Sequence, residues 1–447
     1  MVQPQELANK LSFTLGRRTF IQAAVALGTL SATGHAAHAH AQSSFGSSSG
    51  SAAPIKKSAG ILQPNQGKLQ ADHYLESTPD SVLWGYVPSV HSTAVMQMKS
   101  GETVTVDTLS HEGMLEDQGR NPDEFFGSHG VPENQVLEDA RTIATEYNRT
   151  PRNFDTDGPH IVTGPIFVEG AEPGDVLKVE TLSTELRVPY GVVSSRHGKG
   201  ALGQTKDGSA PAGISISEVM PPTSTDGRST GIPTDYGNVS VFTSVDGDMG
   251  VMGDRIRFPL RPFMGMMGVA FAEGDPTSAQ LNSIPPTLGG GNIDIRHLAV
   301  GSAFYLPVRA EGALFYTGDP HMGMGDGEVS LTAMEGSLRT TFKLTVCKKD
   351  SGDAPSVAFH YPFAETDEYW IPIGLSDPDG SANEQNNDLN AAMRRAVVNA
   401  LDFLQTDLNI ERHIAYAYLS AAADFAISQV VDRTTGVHGL IRKADFV

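Results

Sequence analysis

The chain contains one cysteine, Cys347, in 447 residues. A single thiol excludes an internal disulfide and any CxxC metal site. Basic residues are also scarce, with 32 Lys+Arg against 52 Asp+Glu and a formal charge of −20. Phosphate neutralisation needs clustered Lys and Arg, so this balance argues against a nucleic-acid partner. No apolar run reaches the roughly 18 residues that cross a bilayer as a helix, which argues against membrane anchoring. Hydrophobic content is 39%, modest but compatible with a sizeable core. What the chain has in quantity is punctuation: 47 Gly and 27 Pro favour many turns over long helices.

Residues 1–41 read as an address and not as fold. The segment GRRTFIQ (16–22) carries a twin arginine, AAVALGTL (23–30) is a weakly apolar stretch, and Ala39-His40-Ala41 offers a small-residue cleavage site. That order resembles a twin-arginine export signal. It implies handling by the twin-arginine export machinery, a periplasmic location and export of an already folded chain. Residues 42–67 are rich in Ser, Gly and Ala and read as a flexible linker. Within them GSSSG (46–50) matches a nucleophile-elbow pattern, but its low-complexity flanks supply neither the strand nor the helix an elbow requires.

From 68 to 380 short alternating runs recur between turn signals. Residues 103–107, 175–182, 302–308 and 338–347 read as strands, and 204–250 as a loop-rich insertion. The pattern predicts a mainly β protein with a β-sandwich or barrel core. Residues 381–447 change character. Met393, Val397, Leu401, Leu404 and Leu408 recur at helical spacing behind a capping Asp388. Ile414, Tyr418, Ala421 and Phe425 predict a second helix that ends near Gly436.

Four segments combine Gly with His, Asp or Glu: DTLSHE (107–112), DGPHIVTGPIFVEGAE (157–172), GGGNIDIRH (289–297) and GDPHMGMGDGEV (318–329). The last is the richest. Asp319, His321, Asp326 and Glu328 are separated by Gly318, Gly323, Gly325 and Gly327. A divalent metal taking imidazole and carboxylate ligands would give that loop a reason. A long acidic hairpin loop is the other reading, and composition weighs the two equally.

These residues resemble the acetamidase/formamidase family. TGPIFVEGAEPGDVL (163–177), PFMGMMGVA (262–270), GGNID (290–294) and GDPH…GDGEV (318–329) follow the order and rough spacing of its motifs. Similarity continues through 420–424 and 429–432, so it covers nearly the whole mature chain. The resemblance implies a mainly β fold of sandwich- or jelly-roll-like domains with a helical C-terminal portion. It also implies hydrolysis of small linear amides to carboxylate and ammonia by a homo-oligomer, a dimer or larger. A divalent metal, zinc or alternatively calcium, is implied as cofactor. Where commoner members carry an acidic residue near a Gly-Gln pair, this chain has DTLSHE; with the polar 204–250 region, this marks a divergent branch.

On that basis His321 and Asp319 are expected as metal ligands, with Asp107 or His111 completing the set. Glu328 is expected as general base and later acid, with Asp294 and Asp326 as further catalytic groups. Asn292, Met322 and Gly164 are expected to contact substrate. The competing reading for Glu328 is a salt bridge to Arg296 or Arg309. Cys347 is a poor nucleophile candidate, because Phe342, Leu344 and Val346 define the apolar face of its strand and leave it on the other side. The GxGxxG match at 198–203 lacks a surrounding strand–helix unit, so it does not indicate a nucleotide. Met264, Met266, Met267, Met322 and Met324 read as apolar pocket walls ahead of a copper site. Asp377-Pro378-Asp379-Gly380 reads as a turn, without the glutamate of a calcium loop. A periplasmic solute-binding protein that retains the fold is the alternative to an enzyme.

Overall fold

A computed structural model describes residues 60–447 apart from 155, 197–198, 204–212, 215–228, 231–235, 272–280, 350 and 378–386. The proposed signal (1–41), most of the linker, most of the insertion and the turn at 378–380 lie outside the described residues. The protein is mostly β with few helices. A nine-stranded sheet and a twelve-stranded sheet contribute apolar side chains to one core cluster. Val104, Val179, Phe342 and Leu344 come from the first; Val192, Met264, Phe315 and Met322 come from the second. Among the described residues no helix is long and apolar enough to cross a membrane.

All four predicted strands are present, as Thr103–Asp107, Val176–Leu186, Ala303–Pro307 and Leu338–Cys347. Leu338–Cys347 lies between the other long members of its sheet, pairing antiparallel with both Thr103–Asp107 and Val176–Leu186. Its alternation fails at one end. Cys347 is buried while Val346 is only partly so, beyond a register shift between Thr341 and Phe342. The thiol donates to the Asp353 carbonyl at 3.5 Å, and burial pushes its pKa up to about 11.

The segment 318–323 is not a loop. It belongs to the strand Phe315–Gly323, in which every residue is buried. That strand pairs with Phe263–Val269 on one side and with Ile161–Glu169 and Met334–Glu335 on the other. Glycine is what lets it sit there: a Cβ on Gly318 would lie 2.6 Å from the Ile161 carbonyl. Residues 60–67 also depart from the linker reading. Leu62 and Gln63 are buried, with Leu62 N donating to Arg187 O and Gln63 Nε2 to Val136 O.

At the C-terminus the helix Leu389–Thr406 begins as predicted, with the Asp388 carboxylate accepting from Asn390 N and Ala391 N. The second helix stops at Ala422, and the chain continues as an antiparallel hairpin, Asp424–Gln429 with Gly436–Arg442. Ile414 is 52% exposed, and the helix buries Ala415 and Leu419 in its place. Phe425 belongs to the hairpin. The insertion likewise contains more strand than expected: Tyr236–Asp246 pairs with Tyr190–Arg196 and Met249–Met252.

Candidate active site

Sheet register assembles the site. On Phe315–Gly323, His321 lies opposite Phe263 on one side and Glu335 on the other. One pairing further along, Met266 of the Phe263 strand lies opposite Asn292. Asp294 follows on the next turn, where its N–H and that of Ile293 both donate to the Gly265 carbonyl. The C-terminal hairpin closes the site from another direction. Gly327 N donates to Ser428 O and Val430 N to Gly327 O, which sets Asp432 near Glu328 and Asp294.

Asp294, Asp319 and Glu328 all have positive φ, at 48°, 52° and 46°. The left-handed region costs a non-glycine residue roughly 1–2 kcal/mol. Strain of this kind persists only where surrounding structure over-determines it, and such residues cluster at functional sites.

The contacts are close. His321 Nε2 lies 3.0 Å from Asp319 Oδ2, 3.1 Å from Glu335 Oε1 and 3.8 Å from Glu328 Oε1. His321 Nδ1 lies 3.7 Å from Asp294 Oδ1. On the far side of Asp319, His160 Nε2 is 3.7 Å from its Oδ1, and the His111 ring stands edge-on to that of His160. His160 Nδ1 is paired with Ser283 Oγ at 2.9 Å. Glu112 accepts from Ser194 Oγ at 2.7 Å and from Gln118 Nε2, and lies 3.5 Å from His111.

Charge here is frustrated. Burial pushes Asp294 well above the ordinary carboxyl range, and the Asp432 charge adds to it. Burial and Asp294 raise Glu328; burial and Glu328 raise Asp432. Glu335 is raised by burial to about 6. Burial alone would discharge His321 and lift Asp319, but the imidazole and its carboxylate neighbours outweigh it in both. His321 is therefore held above its ordinary value and Asp319 well below. His160 is pushed down by burial to about 4, so it is a neutral imidazole near neutrality.

Many of these atoms lack hydrogen-bond partners although buried. Both ring nitrogens of His111 and of His321, both oxygens of Asp294, Glu335 Oε2, Asn292 Oδ1 and Asp432 Oδ2 are in this state. A buried polar group left unpaired costs about 1–3 kcal/mol, so so many together call for a missing partner. Donor atoms of Asp319, His321 and Glu335 all lie within 4.8 Å of one another, as do those of His111, His160 and Asp319, and those of Asp294, His321 and Glu328. A mixed imidazole–carboxylate set of this kind fits a divalent cation, which would relieve the carboxylate repulsion. The cluster opens into a cavity of about 250 Å³.

Of the expected residues, Glu328, Asp294, Asn292, His321, Asp319 and His111 come together here. Four do not. Asp107 is bound bidentately by Arg339 at 2.5 and 2.7 Å and accepts from Tyr74 Oη at 2.7 Å. Its oxygens are engaged in a buried ion network away from the cluster. Asp326 pairs at 2.7 Å with Arg296, one of the two arginines that the competing reading paired with Glu328. Met322 alternates with His321 along the strand and packs in the core, against Gly336. Gly164 serves a close backbone approach, since a Cβ there would lie 2.9 Å from Phe315 O. Glu335, His160 and Asp432 had not been anticipated. His160 was within a Gly-rich segment already singled out, whereas Glu335 and Asp432 become visible only through strand pairing.

Comparison with known proteins finds similarity to one family. Residues 276–441 match the model of the Acetamidase/Formamidase family. The matched stretch contains Asn292, Asp294, Asp319, His321, Glu328, Glu335 and Asp432. An acetamidase of Mycolicibacterium smegmatis is 26% identical over 304 residues, 57% of this chain and 71% of that protein. A formamidase of Methylophilus methylotrophus is 28% identical over 286 residues, 57% of this chain and 69% of that one. Among solved structures, an acetamidase from Bacillus halodurans superposes with a TM-score of 0.58 at 23% identity, covering 83% of this chain and 98% of that one. An acetamidase from Yersinia enterocolitica gives 0.59 at 24% identity, covering 84% and 93%. At these identities the structures establish the fold.

Proposed function

We propose that the chain hydrolyses the carbon–nitrogen bond of short linear amides at the floor of this cavity, releasing ammonia. The observation that carries the reading is Glu328, strained, buried and raised in pKa by that burial, set 3.8 Å from an imidazole flanked by two carboxylates. The names of the two enzymes similar in sequence, an acetamidase and a formamidase, point the same way.

His321, Asp319 and Glu335 would hold a divalent ion, with His111 and His160 beside Asp319 as further donors. Zinc suits a set containing imidazoles; calcium prefers six to eight oxygens. When bound, such an ion supplies Lewis-acid polarisation of the amide carbonyl and brings the pKa of a water toward neutrality. The chain supplies the proton traffic. Glu328 takes a proton from the attacking water at its carboxylate and returns it to the departing nitrogen. A raised pKa suits both roles near neutral pH. Asn292 Oδ1, buried without a partner, accepts from the substrate N–H. Burial, and after it the nearby Asp294 charge, raise the Glu328 pKa above the ordinary carboxyl range. Leu115, Phe154, Ile284 and Val431 line the cavity and limit water around the reacting group. Export by the twin-arginine route to the periplasm and assembly as a homo-oligomer belong to the same proposal.

The test is ammonia release from formamide, acetamide and propionamide by the divalent-loaded protein. Glu328→Gln should lower it about 10²–10⁴-fold, the range for a lost general acid–base group. No release from any amide, or undiminished release by the variant, contradicts the reading and favours a solute-binding role.

A further inference from the structure

The cavity lining combines unlike groups of residues. Its floor is the carboxylate–imidazole cluster, and its walls are apolar. Four cations complete the lining: Arg152, Arg196, Lys199 and Arg433. Arg152 is directed to Glu116 at 3.2 Å and Arg196 to Asp117 at 2.8 Å, so both are neutralised within the protein. Arg433 forms no ion pair among the described residues, although the charge of the adjacent Asp432 acts on it. Burial lowers the Arg433 pKa. A partly buried guanidinium without an ion pair favours the arrival of an anion.

Arg433 is also held in place. It occupies the left-handed region at φ 64° on a turn clamped by the Gln429 side chain. Gln429 Oε1 accepts from Val431 N and Asp432 N, at 3.0 and 3.1 Å, and Nε2 donates to Thr434 O at 2.6 Å. That clamp commits Asp432 to the floor and Arg433 to the lining of the same cavity. Lys199 begins a loop fastened to the turn after Glu328, with Ala201 N donating to Val329 O.

Size separates a small amide from a longer one. A cavity of roughly 150 Å³ accommodates benzene, so about 250 Å³ leaves room beyond a two-carbon amide. We propose that the cavity takes an amide whose far end carries a carboxylate, with Arg433 binding that carboxylate while the amide meets the floor. The substrate class is then the monoamide of a short dicarboxylic acid. This inference rests on the amidase reading above for the reaction, and on the cavity alone for the anion site.

The experiment has a kinetic arm and a binding arm. The divalent-loaded wild type is given the monoamide of succinic acid and its neutral isostere, 4-methylpentanamide. Charge-assisted hydrogen bonds are the strong ones, so kcat/KM should favour the carboxylated amide by about tenfold to a hundredfold. Arg433→Gln should bring that ratio toward one, and Arg433→Lys should restore part of it. Succinate itself, titrated calorimetrically into wild type, should bind and should weaken in Arg433→Gln. Equal kcat/KM for the two amides with no succinate binding overturns the inference and leaves the amidase reading intact. Succinate binding that depends on Arg433, with neither amide cleaved, sustains the anion site and overturns the amidase reading. Neither cleavage nor binding overturns both.

Discussion

Gly265→Ala is a one-methyl perturbation aimed at the centre of the site. Gly265 lies on the fully buried strand Phe263–Val269, and its φ is not in the left-handed region, so alanine fits the backbone. The added Cβ would stand 2.5 Å from Asp294 Oδ1, 2.6 Å from His321 Cε1 and 2.7 Å from Asp319 Oδ2. Ordinary contact begins near 3.4 Å, so these groups must retreat by about 0.7–0.9 Å. Functional geometry tolerates about 0.5 Å, and a 1 Å misplacement costs roughly 10²-fold in rate. Overpacking should cost only about 1–3 kcal/mol of stability, a fall of several degrees in Tm for a domain of this size. Ammonia release should therefore drop about a hundredfold or more while thermal unfolding stays cooperative. Gly127→Ala, where an added Cβ meets nothing within 4 Å, should leave both unchanged. Wild-type turnover in Gly265→Ala would refute the placement of catalysis on these three side chains.

Two further substitutions separate fold from site. Asp107→Asn leaves Arg339, and Arg187 at 3.6 Å, without the carboxylate they surround; breaking a buried ion network costs about 3–5 kcal/mol. Chemical denaturation should show that loss with the bound ion retained; an ion lost without destabilisation would return Asp107 to the site. His438 is buried and neutral, paired with Ser428 Oγ at 2.8 Å, with burial pushing its pKa from 6.5 to about 3. A depressed histidine pKa means the unfolded chain binds the extra proton, so stability is lost as pH falls below about 6.5. By pH 4.5 this group alone should cost roughly 2–3 kcal/mol. His438→Gln should flatten that part of the stability–pH curve, and an unchanged slope would contradict the assignment.

The strands were legible because alternation and turn residues are local properties. Thr103–Asp107 and Leu338–Cys347 have the bounds that their side chains announce. The second C-terminal helix was overrun because Ile414, Tyr418, Ala421 and Phe425 keep helical spacing by coincidence. A hairpin edge strand such as Asp424–Gln429 carries too few residues to declare its own period. The same overrun concealed Asp432, which reaches the site only because the hairpin turn folds onto Gly327. Glu335 sits on a two-residue strand, and its role depends on lying opposite His321. Register between strands far apart in sequence is a tertiary property. Asp107 misled for the converse reason: an acidic residue beside Gly- and His-containing motifs looks the same whether it meets a metal or an arginine.

The most direct measurement is the divalent-ion content of the purified protein alongside its ammonia release from acetamide and formamide. The account predicts a stoichiometric ion that is lost, together with turnover, in His321→Ala and is retained in Asp107→Asn. Ammonia release that survives both chelation and His321→Ala would contradict it.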